Sequence, residues 1–319
     1  MFLVFDIGGS SIKYALLTSD GDISCKGKMP TPLDYETGVS DLLESIHSVY
    51  CEYKIKADIE GIAVSLPGQI DVERGIVYGG GALTYLNEVG LGKLISDRCD
   101  GIRTTLENDG KCAALAEVWK GNAKGCKDAC VLVFGTGIGA GIIKDGRIHR
   151  GKNLTAGEVS YLIEGMTRKQ LEDTLGKQTA SVEMTWDTFP FWWCSMSSTG
   201  GRVYSMRKLK GDMNISGEDI YRMAAEGDTE VQEFLEEWYF DIAKKLCNIQ
   251  VMFDPEIILI GGGISAQPLF VEGVKKYVDK IKQLAREYSK IKVDVCKYLN
   301  DSNLLGAVYN YIQLTDKEI

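Results

Sequence analysis

Three glycine turns in the sequence follow apolar runs that are typical of buried strands. They are Gly8 and Gly9, then Gly135 to Gly141, then Gly261 to Gly263. Glycine tolerates positive φ angles and lets backbone amides approach an anion closely, so such turns can hold a phosphate. One turn alone is better explained as a tight turn, but three at strand ends in one chain favour phosphate binding.

Two common nucleotide-binding motifs do not fit this chain. Gly135, Gly137 and Ala140 match the GxGxxG/A spacing of dinucleotide-binding loops, but that motif must open a helix. Here residues 141–148 are predicted to form a strand and a turn, so a dehydrogenase is disfavoured. The full GxxxxGK[ST] sequence is absent, which excludes the usual P-loop design.

Carboxylates near predicted strand ends are the next candidates for chemistry. Asp6 lies beside the first glycine turn, where it could hold Mg²⁺ through water near the phosphates of a nucleotide. Asp109 follows Asn108 and could accept a proton from a hydroxyl, although the residue types alone favour a plain helix N-cap. Glu158 lies in a predicted loop and could equally be a solvated surface acid.

Other candidates have two interpretations that the sequence leaves open. Lys13 could face either phosphates or solvent, because its direction depends on the exact turn before it. Tyr161 could belong to the core or reach a polar ligand. The aromatic run at residues 186–196 could stack on a sugar or pack a small subdomain, and packing is favoured.

The elements that must position these residues alternate between strands and helices. The segments FLVFDI and IKYALL predict a hairpin with a glycine tip, and apolar residues at helical spacing predict a helix over 38–53. Further strands are predicted at GIAVSL and RTTLEN, the latter running into a helix at 109–120. This alternation indicates an α/β domain.

A second unit begins near residue 128 and repeats the opening design of strand, glycine turn, strand and Asp-Gly turn. It continues with a helical stretch over 216–253 that Ser216 caps with Asp219, a strand ending at the third glycine turn, and a helix from Pro268 to about Ser289. A last strand and a last helix close the chain. The repeat suggests two related domains that present glycine hairpins to a shared cleft.

Composition sets the broad class of protein. The chain has 319 residues, 45% of them hydrophobic, so it is long enough for about two domains. Its net charge of −9 argues against nucleic acid as the main partner. No run of ~18 apolar residues suits a membrane span, and the N-terminus does not resemble a signal peptide, so a cytoplasmic location is expected.

The nine cysteines are scattered, contain no CxxC pair, and are expected to be reduced and mostly buried. His47 and His149 are the only histidines in the sequence, and neither lies near paired cysteines. A zinc site built from Cys and His is therefore not expected.

Five segments together resemble the ROK family of sugar kinases and sugar-responsive repressors, within the actin-like ATPase superfamily. They are DIGGSSIK (6–13), SLPGQID (65–71), LENDGKCAALAE (106–117), VLVFGTGIGAGII (131–143) and IILIGGGIS (257–265). The resemblance covers nearly the whole chain, with the motifs in the family's order. It implies an α/β fold of two actin-like (ribonuclease H-like) domains with a cleft between them.

The resemblance also implies a domain division, ligands and an assembly. Residues 1–119 would form a small N-terminal domain and 120–301 a larger one, with a C-terminal helix over 302–319 packing back on the first. ATP with Mg²⁺ would be the cofactor, a hexose or hexose derivative the substrate, and a homodimer the usual state.

Site residues follow from the resemblance position by position. The first phosphate loop would comprise Asp6, Gly8, Gly9, Ser10, Ser11 and Lys13, the second Gly135, Thr136 and Gly137, and the adenosine loop Gly261, Gly262 and Gly263. Asn108 and Asp109 resemble the pair that binds the sugar, with Asp109 as the catalytic base. This reverses the preference for Asp109 as a plain N-cap. Glu158 resembles the acidic sugar ligand of the family's GExGH motif.

The chain departs from the family pattern around one metal site. Tyr161 stands where the family has the histidine of GExGH, and the CxCGxxGC cluster is replaced by a stretch leading through Phe189 to Cys194. Losing both parts together fits a zinc-free branch, with Tyr161 as a candidate sugar contact. We expect an ATP-dependent hexose kinase of the glucokinase, N-acetylmannosamine kinase or β-glucoside kinase type.

Two non-catalytic members of the same fold are the alternatives. A repressor would carry a DNA-binding domain ahead of the first phosphate loop, and the position of Asp6 so near the start disfavours it. A pseudo-kinase that binds sugar without turnover stays open.

Overall fold

The computed structural model describes residues 1–177, 186–299 and 301–315. The chain divides into two compact units. The first comprises Met1–Lys127, Gly141–Gly157 and Lys297–Ile319, and the second comprises Asp128–Ala140 and Glu158–Cys296. The expected division at 119 and 301 differs from the observed one mainly in residues 141–157, which lie with the first unit. Arg150 in this segment bonds to Glu107 and Asn310 of the first unit, and chain order does not reveal such contacts.

Strands and helices alternate along the chain. The strands are β1 (Phe2–Ile7), β2 (Ser11–Leu17), β3 (Ile23–Pro30), β4 (Gly61–Leu66), β5 (Gln69–Asp71), β6 (Ile76–Gly79), β7 (Thr104–Asn108), β8 (Ala129–Phe134), β9 (Ile138–Lys144), β10 (Arg147–Ile148), β11 (Ile257–Gly261) and β12 (Val293–Val295). The helices are α1 (Gly38–Tyr53), α2 (Leu91–Arg98), α3 (Asp109–Lys120), α4 (Arg168–Lys177), α5 (Trp193–Ser197), α6 (Thr199–Lys210), α7 (Gly217–Ala225), α8 (Thr229–Phe253), α9 (Pro268–Ile281) and α10 (Ser302–Thr315).

The sheet of the first unit has the order β3-β2-β1-β4-β7. β1 pairs antiparallel with β2, whereas β1, β4 and β7 run parallel. The carboxyl ends of parallel strands meet at one sheet edge, which is where ligands bind in α/β folds. Asp6 near the end of β1, Gly68 after β4 and Asn108 at the end of β7 therefore reach the same edge.

Both faces of this sheet are covered by helices. Leu42 and Ile46 of α1 pack on one face, and Leu304 and Val308 of α10 pack on the other, all fully or nearly fully buried. β1 is buried along its whole length, as its apolar sequence predicts for a strand with helices on both sides. The expected packing of the last helix on the first unit is seen for residues 302–315, and 316–319 lie outside the described residues.

The second sheet has the order β10-β9-β8-β11-β12, with β8, β11 and β12 parallel. In the β8–β11 register, Gly261 pairs with Val133. The turns that follow these two strands therefore lie side by side. The predicted strand and turn over 141–148 are confirmed as β9 and β10, with Asp145 and Gly146 at positive φ between them.

Two helix predictions were wrong, one in its middle and one at its C-terminal end. The stretch 216–253 is broken into α7 and α8 by Gly227, which has a φ of 96°, and by Asp228, which caps α8. The helix from Pro268 ends at Ile281, and Leu284 beyond it is exposed. The capping box of Ser216 and Asp219 is confirmed.

Across residues 1–177, 186–299 and 301–315, none of the helices combines the length and apolar character needed to cross a membrane.

Candidate active site

Asp6 is a buried carboxylate with partners from three elements. Its Oδ1 accepts hydrogen bonds from Ser65 Oγ on β4 at 3.2 Å and from Asn303 Nδ2 on α10 at 2.9 Å. Lys13, its register partner on β2, places Nζ 3.6 Å from Asp6 Oδ2. A buried charge requires such partners, and together they fix the carboxylate at the sheet edge. Lys13 thus faces Asp6 with a partly exposed side chain, and its contact with phosphates stays a prediction.

The first glycine turn is fixed at its base and open at its tip. Gly8 N donates to Ser11 O at 3.0 Å, and Thr31 Oγ1 donates to Gly8 O at 2.7 Å. Gly9 and Ser10 at the tip are exposed. This arrangement leaves a rigid, accessible turn beside Asp6, as a phosphate loop requires.

Asn108, not Asp109, is the N-cap of α3. Asn108 Oδ1 accepts from Lys111 N at 3.1 Å, while Asp109 is the first helical residue and its Oδ1 accepts from Gly110 N at 2.8 Å. The N-cap interpretation of Asp109 was therefore wrong by one residue. Asn108 Nδ2 also donates to Gly68 O at 3.1 Å, so its amide links the ends of β7 and β4.

Behind Asn108 lies a buried ion pair that the sequence analysis missed. Glu107 is 1% exposed, and its Oε1 accepts from Asn108 N at 2.8 Å. Arg150 Nε donates to Glu107 Oε2 at 3.0 Å, and its Nη2 contacts both Glu107 Oε2 and Asn310 Oδ1. The pair holds the backbone of Asn108 in place. No local sequence signal connects these residues.

In the second unit, the turn after β8 is supported by the start of α6. Gly200 N donates to Gly135 O at 3.0 Å, and Ser198 Oγ donates to Thr136 O at 2.8 Å. Gly135, Thr136 and Gly137 are themselves exposed. Ser198 also caps α6 by accepting from Gly201 N at 2.9 Å. One serine thus aligns the helix with the second predicted phosphate loop.

The third glycine turn approaches β8 closely. Gly262 has a φ of 86°, and a β-carbon there would overlap the carbonyl oxygen of Phe134. Ser265 N and Oγ both donate to Gly262 O, at 3.0 and 2.8 Å. Only glycine fits this position without moving the backbone.

Gly262→Ala is expected to lower the free energy of unfolding by about 1–3 kcal/mol, because it adds backbone strain and a steric overlap. Gly263→Ala is the matched control, since a β-carbon at Gly263 has no neighbour within 4 Å. Urea denaturation followed by circular dichroism measures both variants. Equal stability of the two variants would contradict the close approach of Gly262 to the Phe134 carbonyl.

A pocket of about 800 Å³ lies between these two turns within the second unit. Its walls come from the ends of β8 and β11 and from the N-terminal parts of α6 and α7, with the residues Phe134, Gly135, Thr136, Trp186, Thr199, Gly200, Val203, Arg207, Ser216, Gly217, Glu218, Tyr221, Gly263, Ile264, Ala266 and Gln267. This volume is in the range of small-molecule and cofactor sites. The sequence predicted the two glycine turns but not the contributions of α6 and α7.

Glu158 and Tyr161 lie together in the second unit, at a short 3₁₀ turn over Val159–Tyr161. Tyr161 N donates to Glu158 O at 3.2 Å, and the Tyr161 ring is half exposed. Burial of its inner part, and to a smaller extent the nearby Glu158 carboxylate, raises the pKa of Tyr161. The phenol therefore stays protonated at neutral pH and can donate a hydrogen bond.

Most of the aromatic run packs in the interior, as the sequence analysis favoured, whereas Trp186 lines the pocket between the glycine turns. Phe189, Phe191 and Trp193 are buried, and Trp192 stacks on Phe189 with ring centroids 4.1 Å apart. Trp192 also meets the Tyr161 ring edge-on at 5.0 Å. Trp193 and Ser197 donate to the buried Asp241, and Trp238 donates to Ser197 O. Aromatic packing and hydrogen bonds hold this segment in place.

Burial raises the pKa of Cys99 and Cys247 to about 11 and that of Cys130 to about 12. These thiols therefore stay protonated at neutral pH, and they serve as apolar core residues.

The donor chemistry of the first unit fits Mg²⁺ that arrives with a nucleotide. Among the described parts of the chain, no group of three or more His, Cys, Asp or Glu side chains could hold a metal ion by itself. Mg²⁺ is often bound through one or two carboxylates together with waters and substrate phosphates. Asp6, a fixed carboxylate beside an open glycine turn, meets that need.

Comparison with known proteins decides the family. The family profile described as "ROK family" matches residues 3–313. The chain belongs to the ROK family. A β-glucoside kinase of Listeria monocytogenes is 28% identical over 312 residues, which cover 97% of this chain and 96% of the relative.

Two solved structures extend the comparison. A ROK family protein of Streptococcus pneumoniae, in complex with sucrose, has a TM-score of 0.82 and 32% identity, with 99% of each chain covered. A putative N-acetylmannosamine kinase of Listeria monocytogenes has a TM-score of 0.83 and 26% identity, covering 98% of this chain and 99% of that one. The expected fold of two actin-like domains and the expected enzyme class, a sugar kinase, are confirmed.

Proposed function

We propose that this ROK family member transfers the γ-phosphate of ATP to a hydroxyl of a glucose-like sugar, either free or carried in a β-glucoside. The pocket between the two glycine turns of the second unit carries the ATP assignment, because it has the volume of a cofactor site and is lined by glycine turns whose backbone can approach a nucleotide closely. The names of the relatives, a β-glucoside kinase and a sucrose-bound ROK protein, support the acceptor class.

Each unit supplies a different part of the proposed reaction. In the second unit, Gly135, Thr136 and Gly137 would hold phosphates, and the turn at 261–263 would bind adenosine. In the first unit, the amide of Asn108 would orient the sugar. Asp109 would accept the proton of the attacking hydroxyl as a general base.

Asp6 and Lys13 would act at the phosphates together with the first glycine turn. Mg²⁺, when bound through water by Asp6, supplies charge neutralisation for the phosphates. Lys13 would reach the phosphates from the neighbouring strand while its ion pair keeps Asp6 in place. Phosphoryl transfer depends mainly on such positioning and charge stabilisation, so an acidic protein can perform it with local donors.

A coupled assay of ADP release tests the proposal, with a panel of glucose, N-acetylmannosamine and cellobiose. We expect turnover with glucose or cellobiose, and little release of ADP without sugar. Calorimetric binding of a sugar with no ADP formed on the whole panel would contradict catalysis and favour a pseudo-kinase. A homodimer is a further prediction from the family resemblance, which light scattering can measure.

Asp6→Asn is expected to reduce the dependence of ATP binding on magnesium. The substitution removes the carboxylate charge but keeps an oxygen that can accept from Ser65 and Asn303. Calorimetry in the presence and absence of Mg²⁺ should show weaker binding of MgATP, by about tenfold, and little change for ATP alone. Asp22→Asn, at an exposed turn of the same unit, is the control. An unchanged magnesium effect in Asp6→Asn would remove Asp6 from the metal site.

A further inference from the structure

A second pocket, of about 680 Å³, lies wholly within the first unit and is not explained by nucleotide binding. One wall is the β5–β6 hairpin with its connecting turn, and the other is the loop that follows β10. We call it the hairpin pocket. Its lining includes Asp71, Arg74, Tyr78, Arg150 and Asn153.

Two separate sets of contacts place the hairpin pocket beside Asn108. Asn108 Nδ2 donates to Gly68 O, and the next residue, Gln69, lines the pocket. On the other side, Asn108 N donates to Glu107, whose carboxylate is held by Arg150, another lining residue. Asn108, the residue proposed to orient the sugar, is thus connected to the pocket through its side chain and through its backbone, within its own unit.

The chemistry of the pocket suits a ligand rich in hydroxyl groups. Asp71 Oδ1 accepts from the backbone amides of Glu73 and Arg74, at 3.2 and 3.1 Å, which fixes the carboxylate. Arg74 Nε lies 4.0 Å from Asp71 Oδ2, so a fixed acceptor stands beside a cationic donor. The Tyr78 ring is 41% exposed and provides an apolar face next to these charges. Carboxylate, guanidinium and aromatic ring together can bind hydroxyls and the C–H face of a pyranose.

The loop that forms the second wall is held in a strained conformation. Leu154 has a φ of 62°, which is unfavourable for a residue with a β-carbon, and Gly151 has a φ of 72°. Ala156 N donates to Arg150 O at 3.2 Å and closes the loop. Strain of this kind persists where surrounding contacts enforce it, and it occurs often at ligand sites. The wall is therefore shaped before any ligand binds.

We propose that the hairpin pocket is the subsite for the second ring of a disaccharide substrate, the group attached to the phosphorylated sugar. The proposal rests on the proposed function, in which Asn108 and Asp109 bind the reacting sugar. The reacting hydroxyl faces Asp109, and a substituent elsewhere on that ring leads past Asn108 into the pocket. Tyr78 stacks on the second ring, and Asp71 with Arg74 binds its hydroxyls.

The test compares kcat/KM for cellobiose and for glucose in wild type, Tyr78→Ala and Asp71→Asn. Asn at 71 keeps the oxygen that accepts from Glu73 N and Arg74 N, so it changes mainly the charge presented to the ligand. We expect the ratio of the two kcat/KM values, cellobiose over glucose, to fall about tenfold in Tyr78→Ala and several-fold in Asp71→Asn. Tyr35→Ala, at a tyrosine that is 74% exposed and does not line the pocket, should leave the ratio as in wild type.

The outcomes separate this inference from the proposed function. A ratio unchanged by both pocket variants, or lowered equally by Tyr35→Ala, overturns the subsite while the kinase stands. If wild type phosphorylates neither sugar, the proposed function fails, and calorimetry then decides the subsite alone. Tighter binding of cellobiose than of glucose, lost in Tyr78→Ala, supports the subsite, and equal binding of the two sugars overturns it.

Discussion

Asp109→Asn is expected to lower kcat for sugar phosphorylation by about 10²- to 10⁴-fold, the usual contribution of a general base. Asn has nearly the same shape as Asp, and its side-chain oxygen can still accept from Gly110 N, as Asp109 Oδ1 does at 2.8 Å. The helix start should therefore be preserved while the proton acceptor is lost. The coupled assay of ADP release measures kcat, and calorimetry measures sugar affinity, which should change much less.

Asp41→Asn is the matched control for this prediction. Asp41 also lies in the first turn of a helix, α1, and its side chain accepts a hydrogen bond from Thr37 Oγ1 at 2.6 Å, but it is exposed and has no part in the proposed reaction. Its substitution should leave kcat within about twofold of wild type. Full activity in Asp109→Asn would show that another group takes the proton, whereas loss of both kcat and sugar binding would indicate a positioning role.

The sheet edge that carries these residues was predictable from the sequence. β1 and β4 are largely apolar runs of strand length, β7 is a short strand with a more polar sequence, and side chains at the carboxyl ends of parallel strands share an edge. The sequence analysis put Asp6 and Asn108 near the ends of two predicted strands, and the parallel pairing of β1, β4 and β7 brings these ends to one edge. The three glycine turns were predictable for the same reason, since each interrupts or ends a buried strand.

The assignment of the helix cap was beyond the sequence analysis. Asn108 and Asp109 are adjacent and both cap helices well, so the residue types do not determine which of them is the N-cap. The structure identifies Asn108 as the N-cap, because Leu66 pairs with Asn108 and makes it the last residue of β7. Its extended backbone, with φ −64° and ψ 144°, is the one that a cap requires.

Contacts between distant parts of the chain also left no local signal. Asn303 donates to Asp6 across nearly the whole chain, and Arg150 reaches Glu107 only because residues 141–157 lie with the first unit. The pocket of the second unit depends on α6 and α7, whose start residues look like ordinary caps in the sequence. Strand and turn chemistry thus predicts where a site lies, and tertiary packing decides which side chains complete it.

The buried pair behind Asn108 leads to the largest expected effect on stability. Arg150→Met keeps much of the side-chain volume but leaves Glu107, at 1% exposure, without its cation. Breaking a buried pair in this way costs about 3–5 kcal/mol in the free energy of unfolding. Arg98→Met is the matched control, because Arg98 pairs with Glu44 at the surface, where solvent screens an ion pair and it contributes little to stability.

Urea denaturation of the two methionine variants and of Glu107→Gln/Arg150→Met measures these differences. The double variant removes both charges, so it should recover part of the stability lost in Arg150→Met. It should not recover sugar affinity in full, because Glu107 Oε1 fixes Asn108 N at 2.8 Å and a glutamine accepts that hydrogen bond more weakly. If Arg150→Met costs no more than Arg98→Met, the pair is not a support of the site, and the bonds of Asn108 with Gly68 O and Lys111 N hold it instead.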